Sequence, residues 1–536
     1  MQKRMILAIF LSGLVLFFYN LYYYRNFPQT KNQQTLIEKT PSLQTTTKTS
    51  QKKTTIPILI PKTSNLNIPH KELMIKTKLA EVELSSQGDI CSFKLNNYFV
   101  KDHKKVSIVN KDNISAAPLS IHLQRQNMEL KKFNSINVYE KEFTYYDKNN
   151  PNLELVKKYV FYPKKYFFDL YLTLRNSASH DIYLKNLVLN WHSSNIGNID
   201  KESPKNDIFQ AYFQKGKIYK TKYKGEKFLD KASSVITEQK SNLENIKIYE
   251  VSDEVSWIAE HDQYFASIMI PQNNIAGATF EKYEKNRAGM SLNIKNTLVK
   301  AGESANLNFK IYLGPKVFES LKALSKNVEE LSDLNSIALV LLWALKTLYK
   351  FCHNYGVAII LLTILVKIIL YPLTAKSLKS MKAMSELQPK LTELKEKYKD
   401  NKEKFNQELM FLYKRHKVNP LGGCLPLILQ LPIFYAFFTT FQTAIELRDA
   451  NFIFWLQDLS QKDPYYILPV LMGITMLIQQ KMTPTADPKQ AKLMMLMPIV
   501  FTFMFLNFSA GLMLYWLVQN ILSIGQQYFV THSKKT

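Results

Sequence analysis

A lysine stands inside an apolar run. Lys367 lies within the stretch from Ala358 to Pro372, which is otherwise built from Ile, Leu, Val, Thr and Tyr. If that run crosses a bilayer, a cation near its middle costs about 2.5–3.5 kcal/mol on insertion scales, which makes it a functional candidate by default. Snorkelling is the ordinary alternative. Five residues separate Lys367 from Pro372, about 7–8 Å of helix rise, and a lysine stem covers much of that length. Thr363 lies one turn before Lys367 on the same face. Gln430, Gln479, Gln480, Gln519 and Asn520 lie in or beside other apolar runs. Each alone is most often a helix–helix contact; together with a cation they could line a wet groove.

Nothing else in the chain has the spacing of a reaction centre. The three cysteines, Cys91, Cys352 and Cys424, are far apart and form no CxxC, so neither a disulfide framework nor a zinc site is indicated. The nine histidines form no HExxH and no HxH, which argues against a metal hydrolase. In residues 71–332 paired carboxylates, a nucleophile elbow and a phosphate loop are all missing at convincing spacing. The reading is of a protein that is not an enzyme and needs no cofactor.

The elements that would position Lys367 are membrane segments. Five apolar runs fill the C-terminal third: about 357–373, 425–441, 465–478, 493–508 and 512–524. Several fall short of the ~20 residues of a full span, which flanking residues or a thin bilayer would relieve. Pro426, Pro432, Pro469 and Pro498 lie inside them and are expected to kink helices. The loop from Thr374 to Pro420 is rich in Lys and Arg, and the Lys481–Lys492 loop and the Lys534-Lys535 tail are basic. The Glu446–Asp463 loop is acidic on balance. With an N-terminal apolar run from Met5 to about Tyr24, preceded by Lys3 and Arg4, this fits six spans with both ends inside. That first run ends in Leu-Tyr-Tyr-Tyr24, without a small-residue cleavage site, and reads as an uncleaved anchor over 1–27.

Between the spans lie three other elements. Within the 374–420 loop, Met384, Leu387, Leu391, Leu394 and Tyr398 are spaced three and four apart, and Phe405, Leu409, Leu412 and His416 repeat the stagger after Asp400-Asn401. This predicts a basic helical hairpin whose first arm Pro389 should kink. Residues 333–352 are apolar with Lys346 and Lys350 on one side, as in an amphipathic helix at the outer interface. Residues 28–70 are rich in Thr, Lys, Gln and Pro and read as a disordered linker.

From 71 to 332 the period changes to two. Phe168, Leu170, Leu172 and Leu174 alternate with polar or aromatic neighbours, and so do Ala305, Leu307, Phe309 and Ile311. The stretch holding Ile182, Leu184, Leu187, Leu189 and Trp191 is similar. Such strands, separated by Asn, Asp, Gly and Lys clusters, predict an antiparallel β-sandwich. Following one outward crossing, it should be extracytoplasmic. The chain as a whole carries 70 Lys and Arg against 44 Asp and Glu, a net charge of +26 over 536 residues. An anionic partner such as a lipid surface, RNA or a ribosome fits that excess, as does an ordinary solvated surface.

Several runs make the chain resemble the YidC membrane protein insertases of the Gram-negative type. They are Tyr371-Pro-Leu-Thr374, Leu387-Gln-Pro-Lys390, Lys417 to Pro426, Gln430-Leu-Pro-Ile-Phe434, Asp463 to Gly473 and Gln480-Lys-Met-Thr-Pro484. The resemblance implies six transmembrane helices, a periplasmic all-β super-sandwich, and a hydrophilic groove open to the cytoplasm and to lipid. A family arginine falls at Lys367, where this chain keeps the charge but not the bidentate fork. Thr363, Tyr515 and Trp516 fall at the family's substrate-contacting positions, and Trp516 stands where a second tyrosine is frequent. Gln430 and Gln519 complete the expected groove set. The implied partners are nascent membrane proteins, the Sec translocon, ribosomes and anionic membrane lipids, not DNA, in a bacterial inner membrane. Two other classes remain open from the residues. A secondary transporter would show inverted repeats and paired intramembrane ions. A membrane-tethered carbohydrate-binding protein would leave the extra spans unexplained.

Overall fold

A computed structural model describes residues 68–100, 103–109, 118–123, 126–193, 208–222, 234–240, 245–273, 277–283, 287–399, 401–416, 425–482 and 488–532. The expected N-terminal anchor, nearly all of the linker, and residues 417–424 and 483–484 of the quoted runs lie outside them. Two compact units divide the chain after Lys316, with Ser325–Asn327 assigned to the first.

The first unit is built of antiparallel sheets. The alternation that predicts strands is obeyed closely in Phe167–Asn176, where Phe168, Leu170, Leu172 and Leu174 are all buried. Its neighbour Ser304–Pro315 sets Leu307 opposite Leu172, Phe309 opposite Leu170 and Ile311 opposite Phe168. On the other side Leu155 faces Leu174 and Tyr159 faces Leu170. A one-residue slip would turn all of these apolar groups to the opposite face, so the pattern itself pins the register. These strands are the middle of a nine-stranded sheet. Its order runs from Lys217–Lys222 through Phe209–Gln214, Trp257–His261, Phe265–Pro271, Ser304–Pro315, Phe167–Asn176, Leu153–Phe161 and Glu140–Asp147 to Met128–Ser135.

A six-stranded sheet includes Gly277–Tyr283, Arg287–Ile294 and Leu187–Ser193. It meets the nine-stranded sheet through buried aromatics and one polar link. Tyr212 of the large sheet lies 5.6 Å from Phe280 of the smaller one, ring centre to ring centre. Gln210 Nε2 donates to Gly289 O across 2.7 Å. The predicted sandwich is therefore present, with its core between these faces.

A four-stranded sheet, Met74–Lys76 to Lys105–Val109, is pinned to the nine-stranded sheet by a buried polar knot. Lys157 Nζ lies 3.1 Å from Asp89 Oδ1 and donates to Leu119 O at 2.7 Å, with its side chain 1% exposed. Tyr159 Oη donates to Gly88 O at 2.7 Å, and Tyr145 Oη donates to Gln87 O. Gly88 has φ +74, and a Cβ there would run into Tyr145 and Phe143. Backbone handedness and close approach both require glycine.

The second unit is helical. Ser336–Cys352 starts at Asn335, whose side chain accepts from Ala338 N at 2.8 Å. It buries Ala338, Leu341, Leu342 and Leu345 and leaves Ile337, Val340, Trp343 and Phe351 exposed, so both of its sides are apolar. Lys346, which the sequence places with Lys350 on one side of this helix, meets Glu446 at 3.1 Å and Glu319 at 3.6 Å. His353 then turns the chain with φ 53 into Tyr355–Glu386. Gly356, in the first turn, lies so close to Phe452 that a Cβ would overlap the ring.

The remaining helices depart from the sequence reading mainly at prolines. Tyr355–Glu386 runs 32 residues, straight through Pro372, where the apolar run ends. By length and composition it is the one helix among the described residues apolar enough to cross a membrane; Ile467–Met482 and Met495–Phe505 are shorter apolar helices. Pro389 does not kink the hairpin's first arm. The helix breaks at Leu387, and Pro389 falls in the first turn of Gln388–Lys397, where its missing N–H has no intrahelical partner to lose. Pro426 and Pro469 are likewise placed in the first turns of Leu425–Thr443 and Ile467–Met482. Pro432, and Pro498 of Pro488–Phe505, lie in helix interiors. Lys402–Arg415, capped by Asn401, is the hairpin's second arm, and Ala510–His532 is the C-terminal helix.

Candidate functional site

Two helical stripes face each other. On Tyr355–Glu386, Thr363 and Lys367 are four residues apart; on Ala510–His532, Tyr515, Gln519 and Ser523 are spaced four and four. A spacing of four keeps side chains on one face, one turn above the next. Lys367 Nζ crosses between the helices and donates to Ser523 Oγ at 2.7 Å. Ser523 Oγ in turn donates to Gln519 O at 2.7 Å. The lysine stem therefore does not run toward the end of its helix, as snorkelling would require.

Leu425–Thr443 joins the seam through Gln430. Its Nε2 donates to Tyr515 Oη at 2.7 Å, and its Oε1 accepts from Gln519 Nε2 at 3.4 Å, a long bond. The Tyr515 ring stacks on Phe437 with centres 4.0 Å apart and is buried. Lys367, Ser523, Gln519, Gln430 and Tyr515 thus make one connected polar line across three helices.

The other expected residues stand beside that line. Thr363 is fully buried, and its hydroxyl donates back to Ile359 O at 2.7 Å. Trp516 points away into an aromatic cluster, 4.8 Å from Phe434 and 5.4 Å from Phe505. Asn520 donates to Thr475 Oγ1 at 3.2 Å, a helix–helix contact with Ile467–Met482. Gln479 and Gln480 are half-buried on that helix.

Two residues escaped sequence reading. Ser523 carried a signal, because it continues the Tyr515–Gln519 stripe by one turn; a serine in a helix is common enough to be passed over. Asp463 is fully buried. Its carboxylate accepts from Leu468 N at 2.7 Å, Tyr465 N at 3.0 Å and Trp455 Nε1 at 3.0 Å. It fastens the segment before Ile467–Met482; in the sequence it reads only as the end of an acidic loop and the start of the Asp463 to Gly473 run.

Fold and seam together define a protein with an antiparallel β-sandwich domain and a helical part in which a lysine meets polar side chains of other helices. The comparisons with known proteins narrow that class. Residues 347–536 match the 60Kd inner membrane protein family, and 72–341 match the YidC periplasmic domain. The membrane protein insertase YidC of Syntrophus aciditrophicus strain SB is 35% identical over 561 residues, covering 99% of each chain. That of Geotalea uraniireducens strain Rf4 is 35% identical over 562 residues, again covering 99% of each. Among solved structures, the active YidC insertase crystal structure with the first transmembrane domain resolved is 15% identical. It has a TM-score of 0.36 and covers 85% of this chain and 92% of that one.

The chain belongs to the YidC membrane protein insertase family. It is a membrane protein insertase with a periplasmic β-rich domain and a helical C-terminal part.

Proposed function

We propose that the polar seam around Lys367 is the substrate groove of this insertase, with Lys367, Gln430, Gln519 and Tyr515 along it and Thr363 and Trp516 flanking it. The observation that carries the reading is the Lys367–Ser523 bond, which keeps a cation between helices and away from the helix end. Moving the polar flank of a nascent segment into lipid costs the desolvation of its unpaired groups. A seam of amide, hydroxyl and ammonium groups offsets part of that cost. The apolar part of the segment then leaves sideways into lipid, driven by burial, and the membrane potential adds a pull on acidic tails. No covalent step is involved.

This reading has six spans with both termini cytoplasmic: an anchor at 1–27, a linker at 28–70, a periplasmic domain at 71–332, an interfacial helix at 333–352 and a five-helix core from 353 with a cytoplasmic hairpin at 374–420. The charge pattern of the loops supports it. The exposed apolar side of Ser336–Cys352 supports the interfacial placement. The basic hairpin is the docking element for ribosomes, and the Sec translocon and anionic lipids are the remaining partners.

The test is insertion of a small single-span substrate with an acidic N-terminal tail into proteoliposomes. Wild type is compared with Lys367→Arg, Lys367→Ala and Lys367→Glu. Activity retained in Arg, weakened in Ala and lost in Glu is the expected order. Equal insertion by all four would remove the charge from the mechanism.

A further inference from the structure

Ser523 is the least conspicuous member of the seam, yet the geometry gives it a defined task. Its hydroxyl has one proton, and that proton is committed to Gln519 O at 2.7 Å. The rotor is thereby set, and the oxygen's lone pairs remain for the Lys367 ammonium at 2.7 Å. An ammonium only donates, so it needs an acceptor here. The acceptor it has is neutral. A carboxylate forms a shorter and stronger charge-assisted bond with an ammonium than a hydroxyl does.

We propose that Ser523 is the positioning residue of the Lys367 charge. It seats the ammonium on the C-terminal helix at rest and yields it to the carboxylate of an incoming acidic segment. The proposal rests on the groove reading above and adds a preference to it: acidic flanks displace the serine, whereas neutral flanks lack the charge to do so. The exchange makes and breaks hydrogen bonds only, and after release of the substrate the serine recaptures the ammonium.

The experiment uses the full chain in proteoliposomes, with Ser523→Ala and the isosteric pair Ser523→Thr and Ser523→Val. Thr keeps the hydroxyl and its bond to the preceding turn; Val keeps the shape and removes the acceptor. One readout is acylation of Lys367 by a water-soluble, membrane-impermeant reagent, mapped by peptide mass with Lys481 as internal reference. Loss of the seat frees the stem to reach water, so Ala and Val are expected to label about tenfold faster than Thr or wild type. The second readout is insertion of an acidic-tailed against a neutral-tailed substrate. Ala and Val are expected to slow the acidic one several-fold, Thr to restore it, and neither loss to deepen in a Lys367→Ala background, since contacting residues are not additive. If Ala does not fold, the Thr–Val comparison decides alone. Unchanged labelling in Val, or a Thr variant that behaves like Val, overturns the proposal. So does a slowing that persists in full on Lys367→Ala. Failure of the groove reading looks different: Lys367→Ala itself inserts the acidic substrate at the wild-type rate while the labelling result stands.

Discussion

Gln430 Nε2 donates to Tyr515 Oη at 2.7 Å, joining two helices whose contacting residues are 85 apart in the chain. The same tyrosine ring stacks on Phe437, seven residues beyond Gln430 on the glutamine's helix. One side chain therefore supplies both a polar and an apolar fastening between Leu425–Thr443 and Ala510–His532.

These two fastenings separate by substitution. Tyr515→Phe keeps the stack and loses the hydroxyl, at an expected cost of about 0.5–1.5 kcal/mol, the net contribution of a typical hydrogen bond. Tyr515→Ala also empties a buried aromatic site, at about 3–5 kcal/mol. Thermal unfolding in detergent checks both. A Phe variant as unstable as the Ala variant would mean that the hydroxyl dominates.

The buried knot of the periplasmic domain makes an asymmetric prediction. Burial pushes the Asp89 carboxyl up and the Lys157 ammonium down, each only partly countered by the other's charge. Lys157→Met or Asp89→Asn alone strands a charge and is expected to cost about 3–5 kcal/mol. The double variant Asp89→Asn with Lys157→Met is expected to recover most of that loss. Denaturant unfolding of the four proteins gives the coupling directly.

A pH effect follows from Glu81, whose carboxylate lies 2.9 Å from Lys105 Nζ. The hydrogen bond from Lys105 holds the Glu81 carboxyl below its ordinary value of 4.5, against a smaller opposing effect of burial. Its folded value is thus below its unfolded one. The stabilisation is present above the unfolded value and disappears as the pH falls through the folded one. For so exposed a pair it is under about 1 kcal/mol. Lys105 Nζ also donates to Asn96 Oδ1 at 2.9 Å, so Lys105→Met is expected to lower stability at both pH values but more at pH 7 than at pH 2, read from unfolding midpoints.

Gly356 is predicted to tolerate no side chain. Gly356→Ala places a methyl group into the Phe452 ring, and overpacking of this kind costs about 1–3 kcal/mol. Phe452→Leu in the same chain should return most of that loss by making room. Rescue measured as a double-mutant cycle checks the contact; additive losses would refute it.

Much of the architecture was legible because it is written in local periodicity. Alternation at Phe168–Leu174 and Ala305–Ile311 specifies strands and which face is buried, since side chains in a strand repeat every two residues. The apolar run at 357–373 marks a helix in the same local way, the one among the described residues long and apolar enough to cross a membrane. Helix boundaries were less legible. The apolar run read as ending near residue 373 belongs to a helix that runs on to Glu386, while Pro389, expected to bend the hairpin's first arm, falls in the first turn of a new helix. A proline's effect depends on whether its N–H has a partner to lose, and that is set by where the helix starts.

The sequence by itself determined that a cation stands within an apolar helix, that polar side chains recur in the other apolar runs, and that a β-sandwich precedes them. It did not determine which of those groups meet. Ser523 takes the Lys367 ammonium from 156 residues away, and Gln430 reaches Tyr515, while Thr363, Trp516 and Asn520 turn to other neighbours. Spacing along a helix specifies a face; which faces oppose one another, and at what height, is settled only when side chains of several helices pack together. A hydrogen bond between distant residues depends on that packing to a fraction of an ångström, because a donor and acceptor must come within about 3 Å in the right direction.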